Sequence, residues 1–233
     1  MSSLAGSREF GEGPLSRAVC VIYTLLVVEG LMLLTGAPGL TLLVLLGADP
    51  SNAPLLALSG LALGPSVGAG VYALHHRSSN LADLRPAAAF WRGYRLNAKG
   101  VLRVWLPWLV WLAVLSVSLA NFGAAGVPGW WGRLLLLVAA LATLWAANAT
   151  VIASLFWFRT GDVLRLAAHF LLRCPAVTLA NAALLFLGSA LTVVTSEAVL
   201  ALFGSVFALT LVRNARALID AVRAEFVVAE SVA

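Results

Sequence analysis

The sequence predicts an all-α membrane protein: a six-helix transmembrane bundle with both termini in the cytoplasm and amphipathic cytoplasmic helix extensions. Of the 233 residues, 61% are hydrophobic and 11% are charged, which is far from the composition of a soluble domain. The apolar residues fall into runs of helical length between polar turns. Of the fifteen Lys and Arg residues, all but Arg133 lie in segments on one predicted side, and cationic segments stay in the cytoplasm during insertion.

The predicted bundle covers residues 18–212, between a polar cytoplasmic tail at 1–17 and a cytoplasmic segment at 213–233. Its spans are predicted at about 18–38, 54–74, 101–122, 133–158, 174–195 and 198–212. The first apolar run is longer than the core of a signal peptide and has no cleavage site, so we expect it to remain in the protein. A Gly-Ala-Pro-Gly sequence at 36–39 predicts a break or kink in this helix.

Glycines mark the second span as a packing helix. Gly60, Gly64 and Gly68 recur every four residues, which places them on one face of a helix, where another helix can approach closely. Pro65 lies in the same helix, and we expect it to produce a kink because it removes a backbone donor. We therefore predict that this face packs against protein and not against lipid.

A basic aromatic segment follows the second span and leads into the third. Its predicted surface is formed by Phe90, Trp91, Arg92, Tyr94, Arg95 and Lys99. One interpretation is a set of helix ends whose solvated face meets anionic lipid. The alternative is a docking surface for a partner protein. The net charge of +5 does not indicate nucleic-acid binding, because the basic residues lie between apolar runs, where membrane orientation explains them.

Glu29 is the best single candidate for a functional residue inside the membrane. It lies near the middle of the first span, where an acidic group is costly unless it faces protein or water. The structural interpretation is an interhelical hydrogen bond, for which Asn148, Asn181 and Thr192 are candidate partners. The functional interpretation is a polar binding path that includes Glu29, Asn148 and Asn181.

The sequence predicts no enzyme, no cofactor and no metal site. It contains no metal-ligating His and Glu motif, no CxxC and no phosphate-cradling loop. A Gly-x-Ser-x-Gly pattern surrounds Ser66, but it lies in a predicted membrane helix and not on a strand-to-helix turn. The histidines all lie at predicted cytoplasmic boundaries, away from the depth of Ser66, so no catalytic serine-histidine pair is indicated.

Several sequence motifs together resemble those of the YesL-like family of bacterial membrane proteins. These are GPLSR at 13–17, LGPS at 63–66 leading to YALHHR at 72–77, AFWRGYRLN at 89–97, and the segment 156–175. The resemblance implies a small multi-pass protein of the bacterial inner membrane that assists carbohydrate uptake systems of the ABC type. It implies no catalytic residues. Glu29 departs from the commoner family pattern, in which an Asn is frequent in the first span.

The sequence therefore supports two hypotheses of function. The preferred one is a non-enzymatic accessory or regulator of a carbohydrate ABC importer, whose partners are the lipid bilayer and transporter subunits. The other is a small-solute transporter in its own right, with Glu29 lining a polar path. The solute, the identity of the partner and the formation of a homo-oligomer stay open at this stage.

Overall fold

A computed structural model describes residues 14–46, 52–78, 84–124 and 126–227. All regular structure in these ranges is helical. The helices are α1 (Pro14–Leu46), α2 (Ala53–His75), α3 (Pro86–Ala120), α4 (Trp130–Leu155), α5 (Thr160–Arg173), α6 (Pro175–Val194), α7 (Glu197–Leu202), α8 (Gly204–Asn214) and α9 (Arg216–Val222), followed by a π-helical turn at Arg223–Val227. Most of the predicted tail lies outside the described residues, but positions 14–17 begin α1.

Four of the described helices are long and apolar enough to cross a membrane: α1, α3, α4 and α6. The prediction of an all-α membrane protein is thus confirmed. The six spans and the cytoplasmic orientation stay predictions. In particular, the predicted spans at 54–74 and 198–212 are not among the four candidate spans.

Two helices are longer than the sequence suggested. Of the break or kink expected at 36–39, the break is wrong, because α1 continues through Pro38 for a total of 33 residues, or about 50 Å, while the kink stays a prediction. Likewise, the basic aromatic segment and the predicted span at 101–122 form one continuous helix, α3, of 35 residues. A proline inside a helix removes one donor but leaves the helix intact where the remaining bonds and the packing hold it.

The last predicted span, 198–212, does not form one helix. The chain divides it into α7 and α8, with Phe203 between them. With 11 residues, α8 is about 16 Å long, roughly half of the hydrocarbon thickness of a bilayer. It begins beside the middle of α1 and packs against α1, α2 and α6.

The core forms where α2 packs between α1 and α3, with α4 and α8 alongside. Fully buried side chains there include Val28, Val71, Val101 and Ile152. The predicted cytoplasmic segment at 213–233 also contributes, because Leu218 and its neighbours in α9 are buried in the same core. The start of this segment is therefore an integral part of the fold and not a peripheral tail.

Most of the basic side chains described here gather at one end of the bundle, which we call the basic end. It comprises the C-terminal ends of α2, α5 and α8, the N-terminal end of α3, and α9. Three contacts define it: Arg77 lies near Arg213 and Arg216, His75 lies near Asp220 and Arg223, and Arg173 forms an ion pair of 2.8 Å with Glu225.

Candidate functional site

Glu29 on α1 meets the N-terminus of α8. The backbone N–H of Ser205 donates a hydrogen bond of 2.6 Å to Oε2 of Glu29. No side chain within α8 caps this end of the helix, so Glu29 supplies from another helix the acceptor that a capping residue normally provides. A carboxyl group also lies favourably at the positive end of a helix. The partners expected from sequence, Asn148, Asn181 and Thr192, are thus replaced by the backbone of α8.

The second carboxyl oxygen of Glu29 is buried and has no hydrogen-bond partner among the described residues. It lies next to Gly204, where an added β-carbon would be 3.4 Å from Oε1. Gly204 in turn lines a cavity of about 590 Å³ between α1, α4, α6 and α8. Most residues around this cavity are apolar, and Asn181, Thr143, Ser189 and Thr192 are the polar ones.

The other two predicted binding residues form a chain of amides across three helices. Nδ2 of Asn181 on α6 donates to Oδ1 of Asn148 on α4 over 3.3 Å. Asn214 on α8 extends the chain by donating to Oδ1 of Asn181 over 3.2 Å. Asn148 and Asn181 are almost fully buried. The structure therefore brings these two asparagines together, but it joins them to Asn214 and not to Glu29.

The glycine face of α2 lies against α3. An added β-carbon would lie 2.5 Å from Leu109 at Gly60, 2.9 Å from the Trp105 ring at Gly64, and 2.7 Å from Val101 at Gly68. Real β-carbons do not approach neighbours this closely, so the two helices could not pack in this way with larger residues. Pro65 lies between these glycines inside α2.

Ser66, from the Gly-x-Ser-x-Gly pattern, holds α2 against α1. Its hydroxyl donates to the carbonyl oxygen of Met32 over 2.9 Å and forms a second hydrogen bond of 2.9 Å with Thr35. A side chain bonded in this way joins two helices, as polar residues commonly do within membranes.

The predicted docking surface divides into buried and exposed residues. Phe90 is fully buried, so it belongs to the core, and this part of the prediction is wrong. Tyr94 is half-buried, and its ring stacks on that of Phe90 with centroids 6.4 Å apart. The exposed members are Trp91, Arg92, Arg95 and Lys99, which we call the α3 surface.

A second cavity, of about 440 Å³, lies at the basic end between α1, α2 and the start of α3. Arg77, Arg85 and Arg92 line it together with His76. Burial and the nearby charges of Arg213 and Arg216 lower the pKa of Arg77. A lowered pKa at an arginine indicates a strongly positive local potential, because each of these causes disfavours the charged form.

His75 also titrates in a positive environment. Its pKa is lowered first by burial, then by the charges of His76 and Arg223, while Asp220 opposes them. The neutral form of this imidazole is thus favoured in the folded protein. The described residues contain no group of three or more His, Cys, Asp or Glu side chains placed to hold a metal ion.

Sequence reasoning missed three participants: Ser205, Asn214 and Arg77. Ser205 acts through its backbone, so no sequence pattern marks it. Asn214 lies 33 residues after Asn181, as Asn181 lies 33 residues after Asn148. These equal spacings predict no contact by themselves, because the asparagines meet only when α4, α6 and α8 pack together. Arg77 ends the YALHHR motif at 72–77, but no sequence pattern indicates its clustering with α8 and α9, which depends on tertiary structure.

Comparison of the chain with protein-family models, curated proteins and solved structures gives no match.

Proposed function

We propose that this chain is a non-enzymatic protein of the bacterial inner membrane that serves as an accessory to, or regulator of, a carbohydrate ABC uptake system. The resemblance to the YesL-like family suggests the type of partner. The α3 surface is the observation that supports docking, because Trp91, Arg92, Arg95 and Lys99 are exposed on one helix at the basic end.

The chemistry of the α3 surface suits a protein partner. Trp and Arg are the residue types that most often dominate binding energy at protein interfaces. Trp91 packs edge-on against Phe90, with ring centroids 6.0 Å apart, so its aromatic side chain is held by the core while part of it stays exposed. The one ion pair in the described ranges, Arg173 with Glu225, uses none of these cations. They are thus available to acidic groups on a partner.

Photo-crosslinking in native membranes tests this proposal. A photoreactive phenylalanine analogue at position 91 should form an adduct with a permease or ATPase subunit of an ABC importer. The matched control is position 193, because Val193 is also exposed (85%). It lies at the C-terminal end of α6, whereas the N-terminal end of α6 follows Arg173 at the basic end. Adducts with lipid alone at position 91, or the same protein adduct from both positions, would contradict the docking proposal.

The unpartnered oxygen of Glu29 favours a second candidate, a transporter in its own right. Oε1 is buried next to Gly204, which borders the cavity of about 590 Å³ between α1, α4, α6 and α8. Half-helices that begin inside a membrane commonly contribute to solute sites in transporters, and α8 is a helix of this length.

Flux measurements separate the two candidates. Liposomes that contain only the purified chain should show no sugar flux above protein-free liposomes if the chain is an accessory protein. Flux that is lost in a well-folded Glu29→Gln variant would favour the transporter, because Gln keeps the size of the side chain but cannot carry charge or a proton. Unchanged flux in this variant would exclude Glu29 from the path.

A further inference from the structure

The cavity at the basic end brings three arginine side chains to one partly open space. Three arginines line it: Arg77 lies two residues after the end of α2, Arg85 precedes α3, and Arg92 lies in the second turn of α3. None of the described residues that line the cavity is Asp or Glu. Within the described part of the chain, the Arg173–Glu225 ion pair includes none of the three arginines. Their charges therefore lack carboxylate partners among these residues.

The surroundings add positive charge to the cavity. Arg213 and Arg216, at the end of α8 and the start of α9, lie close enough to lower the pKa of Arg77. Ala88 and Ala89 from the first turn of α3 also line the cavity, and this turn contains no acidic residue and no side-chain cap. The positive end of the α3 dipole lies at this turn and favours an anion, in the same direction as the arginines.

We propose that this cavity binds the phosphate group of an anionic ligand, either a phospholipid headgroup or a small phosphorylated solute. Guanidinium groups bind phosphate through two parallel hydrogen bonds, and several of them around one cavity neutralise a doubly charged group. A volume of about 440 Å³ accommodates a phosphate with a glycerol-sized substituent. The cavity adjoins the end of α2, the depth at which lipid headgroups would meet an apolar helix.

Two binding measurements on the full-length protein distinguish the sources of phosphate. In the first, the protein is reconstituted in nanodiscs of equal parts phosphatidylcholine and phosphatidylglycerol, and native mass spectrometry counts the lipids that stay bound. In the second, protein in phosphatidylcholine nanodiscs is titrated calorimetrically with glycerol 3-phosphate and with inorganic phosphate. Retained phosphatidylglycerol identifies a headgroup site, and saturable heat from either titrant identifies a site for a soluble phosphate.

Matched arginine variants locate the site. We expect Arg85→Gln to weaken the observed binding about tenfold or more, because it removes a charged donor. Arg103→Gln is the control, since Arg103 is an exposed arginine on α3 that does not line the cavity. Arg77→Gln provides a second cavity variant, located just after α2, and melting temperatures verify that each variant is folded.

The proposal is overturned if the wild-type protein retains no phosphatidylglycerol in preference to phosphatidylcholine and also gives no saturable heat. It is equally overturned if Arg103→Gln weakens binding as much as Arg85→Gln and Arg77→Gln, because the binding would then reflect only general surface charge. The test is independent of protein docking, since Arg77, Arg85 and Arg103 lie outside the α3 surface.

Discussion

Polar groups are arranged differently in two regions of the molecule. One region is the junction between Glu29 and α8, and the other is the basic end. Around the junction, one oxygen of Glu29 is paired with the N–H of Ser205, and Asn181 is paired with both Asn148 and Asn214, while the other oxygen of Glu29 has no partner among the described residues. At the basic end, Arg173 is paired with Glu225, but like charges also act on one another, as those of Arg213 and Arg216 do on Arg77. An unmatched polar group costs far more in an apolar interior than at a surface in contact with water.

This difference follows from the surroundings of the two regions. Pairing inside the bundle serves mainly to hold helices together, as interhelical hydrogen bonds do in membranes. Charges of one sign that accumulate at an end of the bundle destabilise the fold unless solvent, an anion or a partner screens them. The predictions below test the contrast, from the largest expected effect to the smallest.

We expect Gly64→Leu to cost about 3 kcal/mol or more of stability, which would show how strongly the interior depends on close packing. The β-carbon alone would lie 2.9 Å from the Trp105 ring, so α2 and α3 would have to separate. Thermal unfolding in detergent measures the effect. Gly30→Leu is the control, because no atom lies within 4 Å of a β-carbon added there. Equal melting temperatures for the two variants would contradict the close α2–α3 packing.

Glu29→Ala should destabilise the protein by about 1–3 kcal/mol, because the N–H of Ser205 would lose its acceptor in a buried position. Glu29→Gln retains an acceptor at this point, so we expect a smaller loss than for Glu29→Ala. The comparison is made by thermal unfolding. If both variants were equally unstable, the charge and not the hydrogen bond would be the stabilising property of Glu29.

Asn181→Leu should cost about 1–2 kcal/mol, because Asn181 is the middle member of the asparagine chain and both neighbours would lose a partner. A double-mutant cycle with Asn148→Leu measures the coupling between the two residues. We expect the double variant to be less destabilised than the sum of the single ones. Simple additivity would show that the 3.3 Å contact contributes no stability of its own.

The smallest effect concerns pH and the basic end. The folded-state pKa of His75 is lowered, so the unfolded chain binds more protons than the folded one below about pH 6.5. Stability should therefore fall as the pH falls through this range and should be unaffected by His75 well above it. Melting temperatures between about pH 5 and 8 would show a shallower acid decline for His75→Gln than for the wild-type protein. If His75→Gln loses stability in acid as steeply as the wild-type protein, other titrating groups cause the decline.

Some features of the candidate sites were accessible from the sequence. The four-residue spacing of Gly60, Gly64 and Gly68 predicted one packed face, and the added-atom distances at all three glycines point to α3. A carboxyl group in an apolar run predicted that Glu29 faces protein, and it does. These inferences depend on local spacing and on the cost of burying polar groups, both of which can be read directly along the chain.

Other features depend on contacts between distant segments. Phe90 looks like a surface residue within a basic segment, but it lies on the face of α3 that enters the core. The segment 198–212 divides into α7 and α8, and the N-terminus of α8 is capped by Glu29. This residue lies 176 residues before Ser205 and accepts the hydrogen bond from its backbone N–H. No local pattern encodes such a contact.

The sequence by itself determined that this is an all-α membrane protein, because long apolar runs with few charges are stable only as helices within a bilayer. It also determined which segments are basic and which helix face is lined by glycine. Only the tertiary structure decided the partner of Glu29, the asparagine chain and the cavity of three arginines. These require helices distant in sequence to pack side by side, and the free energy that selects one packing is shared among many contacts and not encoded at any single position.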